Sequence, residues 1–82
     1  MLLVNQIRAA RALLGWTAKD LAGASRVSLP TIKRLETQIG VVNCNPRTLF
    51  DILKAFNDAG IEFIGTPDEG PGVRLNLKKL VG

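Results

Sequence analysis

Histidine and tyrosine are absent from this 82-residue chain, and cysteine and tryptophan occur once each. With Cys44 as the only thiol and no imidazole, no metal site is expected, because a closed zinc site needs about four such ligands. A lone cysteine forms no internal disulfide, whereas small secreted domains commonly carry an even set, so the expected compartment is the reducing cytoplasm. No apolar run approaches the roughly 20 residues needed to cross a bilayer. Met1 to Val4 is apolar, but Arg8 and Arg11 follow at once, which fits neither a spanning helix nor a signal-peptide core, and no membrane partner is expected. The acids Asp20, Asp51, Asp58, Glu62, Asp68 and Glu69 are scattered without a convergent partner. The chain therefore reads as a non-enzyme with no catalytic residue and no cofactor.

What is present is a foldable, basic chain: 46% of residues are hydrophobic and the formal net charge is +4. A domain of this length buries only about 60 to 65% of the surface its unfolded chain exposes, which leaves room for one modest core. The positive balance favours an anionic partner, but many soluble domains carry a similar charge, so the placement of the cations must decide.

Asn5 to Leu14 is rich in Ala, Leu and Arg, with Ile7, Ala10 and Leu14 on one face, and predicts helix 1. Gly15 suits the left-handed position that ends a helix, and Trp16 follows as an anchor at the core edge. Thr17 and Asp20 have the spacing of a capping box at the start of helix 2, which runs to about Ala24. Ser25, Arg26 and Val27 form a break. Ser28 then caps helix 3, with Pro30 in the first turn where its missing N–H costs nothing, and the helix runs to about Glu36. Asn45-Pro46 starts helix 4, whose Leu49, Ile52, Leu53 and Phe56 follow the i, i+3, i+4, i+7 spacing, and Gly60 ends it.

Between helices 3 and 4, Thr37 to Asn45 reads as a loop that Ile39, Val41 and Val42 pack down. After Gly60 the period becomes two: Ile61 and Phe63 share a face, and Val73, Leu75 and Leu77 alternate with Arg74, Asn76 and Lys78. The segment from Gly65 to Gly72 reads as the turn between two short strands. The fold class is thus mainly α, with four to five helices and a C-terminal β-hairpin or strand pair. Residues 1–60 form the helical unit and 61–82 the strands.

Two short capped helices joined by a tight break, the second carrying polar and basic exposed residues, meet the requirements of reading double-stranded DNA. An α-helix fits the major groove while the preceding helix braces on the backbone. Thr17-Ala-Lys-Asp-Leu-Ala-Gly-Ala-Ser-Arg-Val-Ser-Leu-Pro-Thr-Ile-Lys-Arg-Leu-Glu36 resembles the helix-turn-helix of the Cro/C1-type (XRE) regulators of phages and bacteria. Leu21-Ala22, Val27-Ser28, Thr31-Ile32 and Leu35-Glu36 carry the resemblance.

The resemblance implies a lambda-repressor-like bundle and a transcriptional repressor, phage-encoded or bacterial and nucleoid-associated when bound. It places Ser28, Leu29, Pro30, Thr31, Lys33 and Arg34 on the bases. Arg34 is chemically suited to bidentate bonding with guanine, and Leu29, Pro30 and the Thr31 methyl to thymine methyl groups. It places Thr17, Lys19, Thr37 and Arg47 on phosphates, and pairs Arg11 with Glu36. Ala18 stands where the family often has Gln, and Leu29 and Pro30 replace polar residues, which shifts weight toward DNA shape. The plainer readings are a solvated face for Lys33 and Arg34, surface charges for Arg11 and Glu36, and a simple loop thiol for Cys44.

A lone two-stranded hairpin is marginal in water, so its apolar face needs a cover. One solution is a homodimer through Phe56, Ile61, Phe63, Val73, Leu75 and Leu77, matching near-palindromic half-sites; the other is helix 4 of the same chain. Lys78 and Lys79 add cations near the end. A protein-interaction module, such as an antitoxin or antiactivator partner with a regulatory protein bound to it, is the alternative to a DNA reader.

Overall fold

The computed structural model describes residues 2–77. The described residues form α1 (Val4–Leu14), α2 (Ala18–Ser25), α3 (Leu29–Glu36), α4 (Pro46–Asp58), β1 (Ile61–Thr66) and β2 (Glu69–Leu75).

Each helix boundary follows from a local hydrogen-bond solution. Gly15 ends α1 in the left-handed region (φ 68°), and the Trp16 amide returns to the Arg11 carbonyl at 2.8 Å. At the start of α2 the capping box is reciprocal: Asp20 N–H donates to Thr17 Oγ1 at 3.1 Å and Thr17 N–H to Asp20 Oδ2 at 2.9 Å. Ser28 Oγ caps α3 by accepting from Thr31 N–H, and Asn45 Oδ1 caps α4 by accepting from Arg47 N–H. These bonds satisfy backbone donors that an α-helix cannot pair internally.

The core gathers one stripe from every helix. Ile7 and Ala10 of α1, Leu21 of α2, Ile32 and Leu35 of α3, and Ile52, Ala55 and Phe56 of α4 are buried together with Leu2 and Ile61. Phe56 is its centre: Trp16 stacks on it (centroids 5.7 Å apart, 22° between planes), and Phe63 meets it edge-on at 5.7 Å. Aromatic contacts of both kinds add about 0.5 to 1.5 kcal/mol beyond the area they bury.

The antiparallel hairpin pairs Ile61 with Leu75, Phe63 with Val73 and Ile64 with Gly72, then shifts register between Ile64 and Thr66. Its inner face packs on α1 through β2 and on α4 through β1. The expected turn from Gly65 to Gly72 is mostly strand, with only Pro67 and Asp68 between the strands. Proline is tolerated in β2 because each strand of a two-stranded ribbon has an open edge. Gly65 (φ 75°) is required at the register shift, where a β-carbon would press on the Gly70 and Glu69 carbonyl oxygens.

Three further expectations need correction. Phe56 and Ile61, assigned to contact with a second copy, are wholly buried within the chain, because α4 and the hairpin cover each other. Leu77 lies beyond the end of β2 and is exposed. Ile39 is 98% exposed rather than packed down. Val41 is 39% exposed, whereas Val42 packs against the core. Backbone bonds also pin the loop: Val4 N–H donates to the Gly40 carbonyl at 2.9 Å and Val42 N–H to the Leu2 carbonyl at 2.8 Å. Helix 4 ends at Asp58, with Ala59 at the cap and Gly60 (φ 94°) just beyond.

Candidate nucleic-acid interface

The eight residues of α3 divide cleanly. Ile32, Leu35 and Glu36 face inward and are buried. Pro30, Lys33 and Arg34 are exposed, Leu29 and Thr31 half-exposed, and Ser28 and Thr37 exposed at the two ends. This split is the 3.6-residue period expressed on a short helix: one stripe enters the core, and the sequence-predicted base readers share the other side.

The hydroxyls on this face are already occupied. Ser28 Oγ donates to Thr31 Oγ1 at 2.8 Å, and Thr37 Oγ1 donates to the Arg34 carbonyl at 2.6 Å. Lys33 and Arg34 differ: neither forms an ion pair or a side-chain hydrogen bond among the described residues. Lys19 on α2 is likewise exposed and unpaired among them. Thr17 sits in the capping box with its oxygen engaged as an acceptor, so its O–H proton remains available to donate. Arg47, at the start of α4, has an 81% exposed side chain whose Nε lies 3.2 Å from Asp51 Oδ1. Lys78 and Lys79 lie outside the described residues.

The inward side of α3 is locked by charge. Arg11 donates from Nε to Glu36 Oε2 at 2.9 Å and from an Nη to Oε1 at 2.6 Å, a two-pronged match of guanidinium to carboxylate. Its other Nη donates to the Trp16 carbonyl at 3.1 Å. Arg8 adds a donor to the Glu36 backbone carbonyl, with its Nε 3.9 Å from Oε1. Helix 1 and the Gly15-Trp16 corner thereby fix the C-terminal end of α3.

A model of the Helix-turn-helix family, of the Cro/C1 (XRE) type, matches residues 7–63. The chain belongs to that family. No match was found among curated proteins or among solved structures. Family membership makes the helix-turn-helix protein a DNA-binding transcriptional regulator in general terms, with α2 and α3 as the two helices of the motif. Among the described residues no helix is long and apolar enough to cross a membrane, and no group of His, Cys, Asp and Glu is disposed to hold a metal ion.

Two features escaped the sequence reading. Gln6 is buried and uses its whole amide: Oε1 accepts from Leu3 N–H at 2.9 Å, and Nε2 donates to the carbonyls of Ile64 (3.3 Å) and Gly72 (3.0 Å). A glutamine three residues after a helix cap is a capping-box signal, masked here because the cap residue is Leu3. Gln38 forms the second, closing the α3–α4 loop by donating to the Asn43 carbonyl at 2.7 Å and accepting from its N–H at 2.8 Å. Cys44 is half-buried in that loop, and burial raises its thiol pKa above the ordinary value, opposed by a hydrogen bond from the Leu49 backbone.

Proposed function

We propose that this helix-turn-helix protein is a sequence-specific repressor that acts inside the cell, without catalysis, as a homodimer on a near-palindromic operator with α3 in the major groove. The observation that carries the reading is the outward face of α3, where Lys33 and Arg34 are exposed and free of carboxylate partners among the described residues. Glu36, the one acid on α3, is turned inward to Arg11 and offers them no counter-charge. The face is left wholly to an external anion or base edge.

Arg34 reads guanine, Lys33 reaches a base or phosphate, and Leu29, Pro30 and the Thr31 methyl meet thymine methyl groups. The Ser28 and Thr31 hydroxyls, bonded to each other, contribute less to hydrogen-bond readout than their position alone implies. Thr17, Lys19, Thr37 and Arg47 hold the phosphates. For the dimer, Phe63, Val73 and Leu75 are only half-buried, and both hairpin strands keep an open edge. An open groove of about 480 Å³ lined by Leu2, Leu49, Leu53 and Phe63 runs beside β1.

Selection from a random duplex pool, followed by a salt titration, tests the reading. An enriched motif is expected, with log affinity falling against log salt at a slope near −5 if roughly six phosphates are engaged. Absence of any enriched motif refutes sequence-specific binding. A protein-interaction module, such as an antitoxin or antiactivator partner, is the second reading. Its support is the 59% exposed Phe50, an aromatic on α4 that lines a surface groove; it predicts neither an enriched motif nor a steep salt slope.

A further inference from the structure

Among the described residues Arg26 is the only non-glycine residue with a positive φ, at 62°. It caps the C-terminus of α2, two positions before Ser28. Glycine adopts this left-handed backbone freely, whereas a side chain with a β-carbon is strained there. No bond of its own side chain repays the strain. The turn is held by its neighbours: Ser25 Oγ donates to the Leu21 carbonyl at 2.7 Å and accepts from Val27 N–H at 3.2 Å. The Arg26 side chain is exposed and makes no hydrogen bond or ion pair among the described residues.

Its surroundings sharpen the contrast. Arg26 lines a surface groove of about 460 Å³ with Arg47, Phe50 and Lys54. The other two cations each have a carboxylate: Arg47 has Asp51 at 3.2 Å and Lys54 has Asp58 at 2.9 Å. Arg26 is the uncompensated charge of the three, and it adjoins the N-terminal end of the reading helix. A left-handed residue where glycine would fit, with an unpaired charge beside a binding face, points to a contact made outside the chain.

We propose that Arg26 is a phosphate anchor, its guanidinium bonding a backbone phosphate at the edge of the major groove that α3 enters. The proposal rests on the DNA-binding reading given above. The planar guanidinium fork suits a phosphate better than a point charge does, and the position beside Ser28 favours DNA over an acidic protein segment.

The test uses the full chain, a 30-base-pair duplex carrying the selected motif and a random-sequence duplex of the same length, with binding read by fluorescence anisotropy. Arg26→Gly is expected to raise Tm by about 4 °C through relief of strain, yet to weaken both duplexes by the same factor. The slope of log affinity against log salt becomes shallower by about 0.9, so that the penalty shrinks about 3.5-fold between roughly 50 and 200 mM salt. Arg26→Asn, which keeps a residue tolerant of this backbone but removes the charge, is expected to bind like Arg26→Gly, and Arg26→Lys to retain most of the slope. Unchanged affinity and slope in Arg26→Gly overturn the proposal, and are the outcome expected if Arg26 instead meets an acidic protein. A loss confined to the selected duplex also overturns it, by making Arg26 a base reader. If the unaltered protein binds neither duplex, the DNA-binding reading fails and the proposal falls with it.

Discussion

Replacing Glu36 with Gln keeps the shape of the side chain but removes the charge that joins α3 to α1. The Glu36 side chain is 10% exposed and that of Arg11 21%, so the pair lies between a surface ion pair and a fully buried one. Surface pairs are worth about 0 to 1 kcal/mol, whereas breaking a buried pair costs about 3 to 5 kcal/mol. Two good charge-assisted bonds are at stake, the Arg11 bond to Trp16 survives, and water still reaches part of the guanidinium. A loss of about 2 kcal/mol follows, or roughly 10 °C in Tm for a domain of this size. That is a large share of the about 4 to 12 kcal/mol expected for such a chain. Urea unfolding followed by circular dichroism measures it: the midpoint should fall with the slope unchanged. Arg8→Ala, whose side chain is half-exposed, should cost less. A Glu36→Gln loss below about 0.5 kcal/mol, or one matched by Arg8→Ala, refutes the assignment of Arg11–Glu36 as the lock on α3.

Gln6→Leu leaves the Ile64 and Gly72 carbonyls without their amide donor and should cost about 2 kcal/mol, with hydrogen exchange accelerating at Leu3 N–H and across the hairpin; undisturbed hairpin protection contradicts the clamp. Thr17→Ala removes an N-cap oxygen and should cost about 1 kcal/mol, read from the same urea midpoint. Cys44, half-buried with its thiol pKa raised, should react with a thiol reagent at neutral pH more slowly than cysteine in an unfolded peptide, because less of it is thiolate; an equal rate contradicts the burial.

The helix-turn-helix was legible because its signals are local. Thr17 with Asp20, Ser28 with Pro30, and Asn45 with Pro46 each announce a helix start through bonds made within a few residues. The Arg11–Glu36 contact spans 25 positions and became visible only through the family resemblance. The hairpin was legible in type but not in extent: the glycines and prolines from Gly65 to Gly72 read as turn, whereas an exposed two-stranded ribbon accommodates them. Periodicity identified Phe56, Ile61 and Phe63 as apolar but not what covers them; the answer lies in tertiary packing, with Phe56 closed between Trp16 and Phe63. Ile39 misled because an apolar residue in a loop promises burial, while the loop is fastened by backbone bonds to Leu2 and Val4. Nothing in the residue types announced that Arg26 is left-handed, since arginine has no preference for that region.

In the proposed complex α3 reads bases through Arg34 while Arg47 holds the backbone. Affinities of Arg34→Ala and Arg47→Ala, measured on the selected duplex and on every single base-pair variant of it, test this most directly. Arg34→Ala should lose about 1 to 3 kcal/mol and cease to discriminate at one base pair, while Arg47→Ala weakens every duplex alike and lowers the salt slope by about 1. Equal, sequence-blind losses from both substitutions, or none from Arg34→Ala, would contradict it.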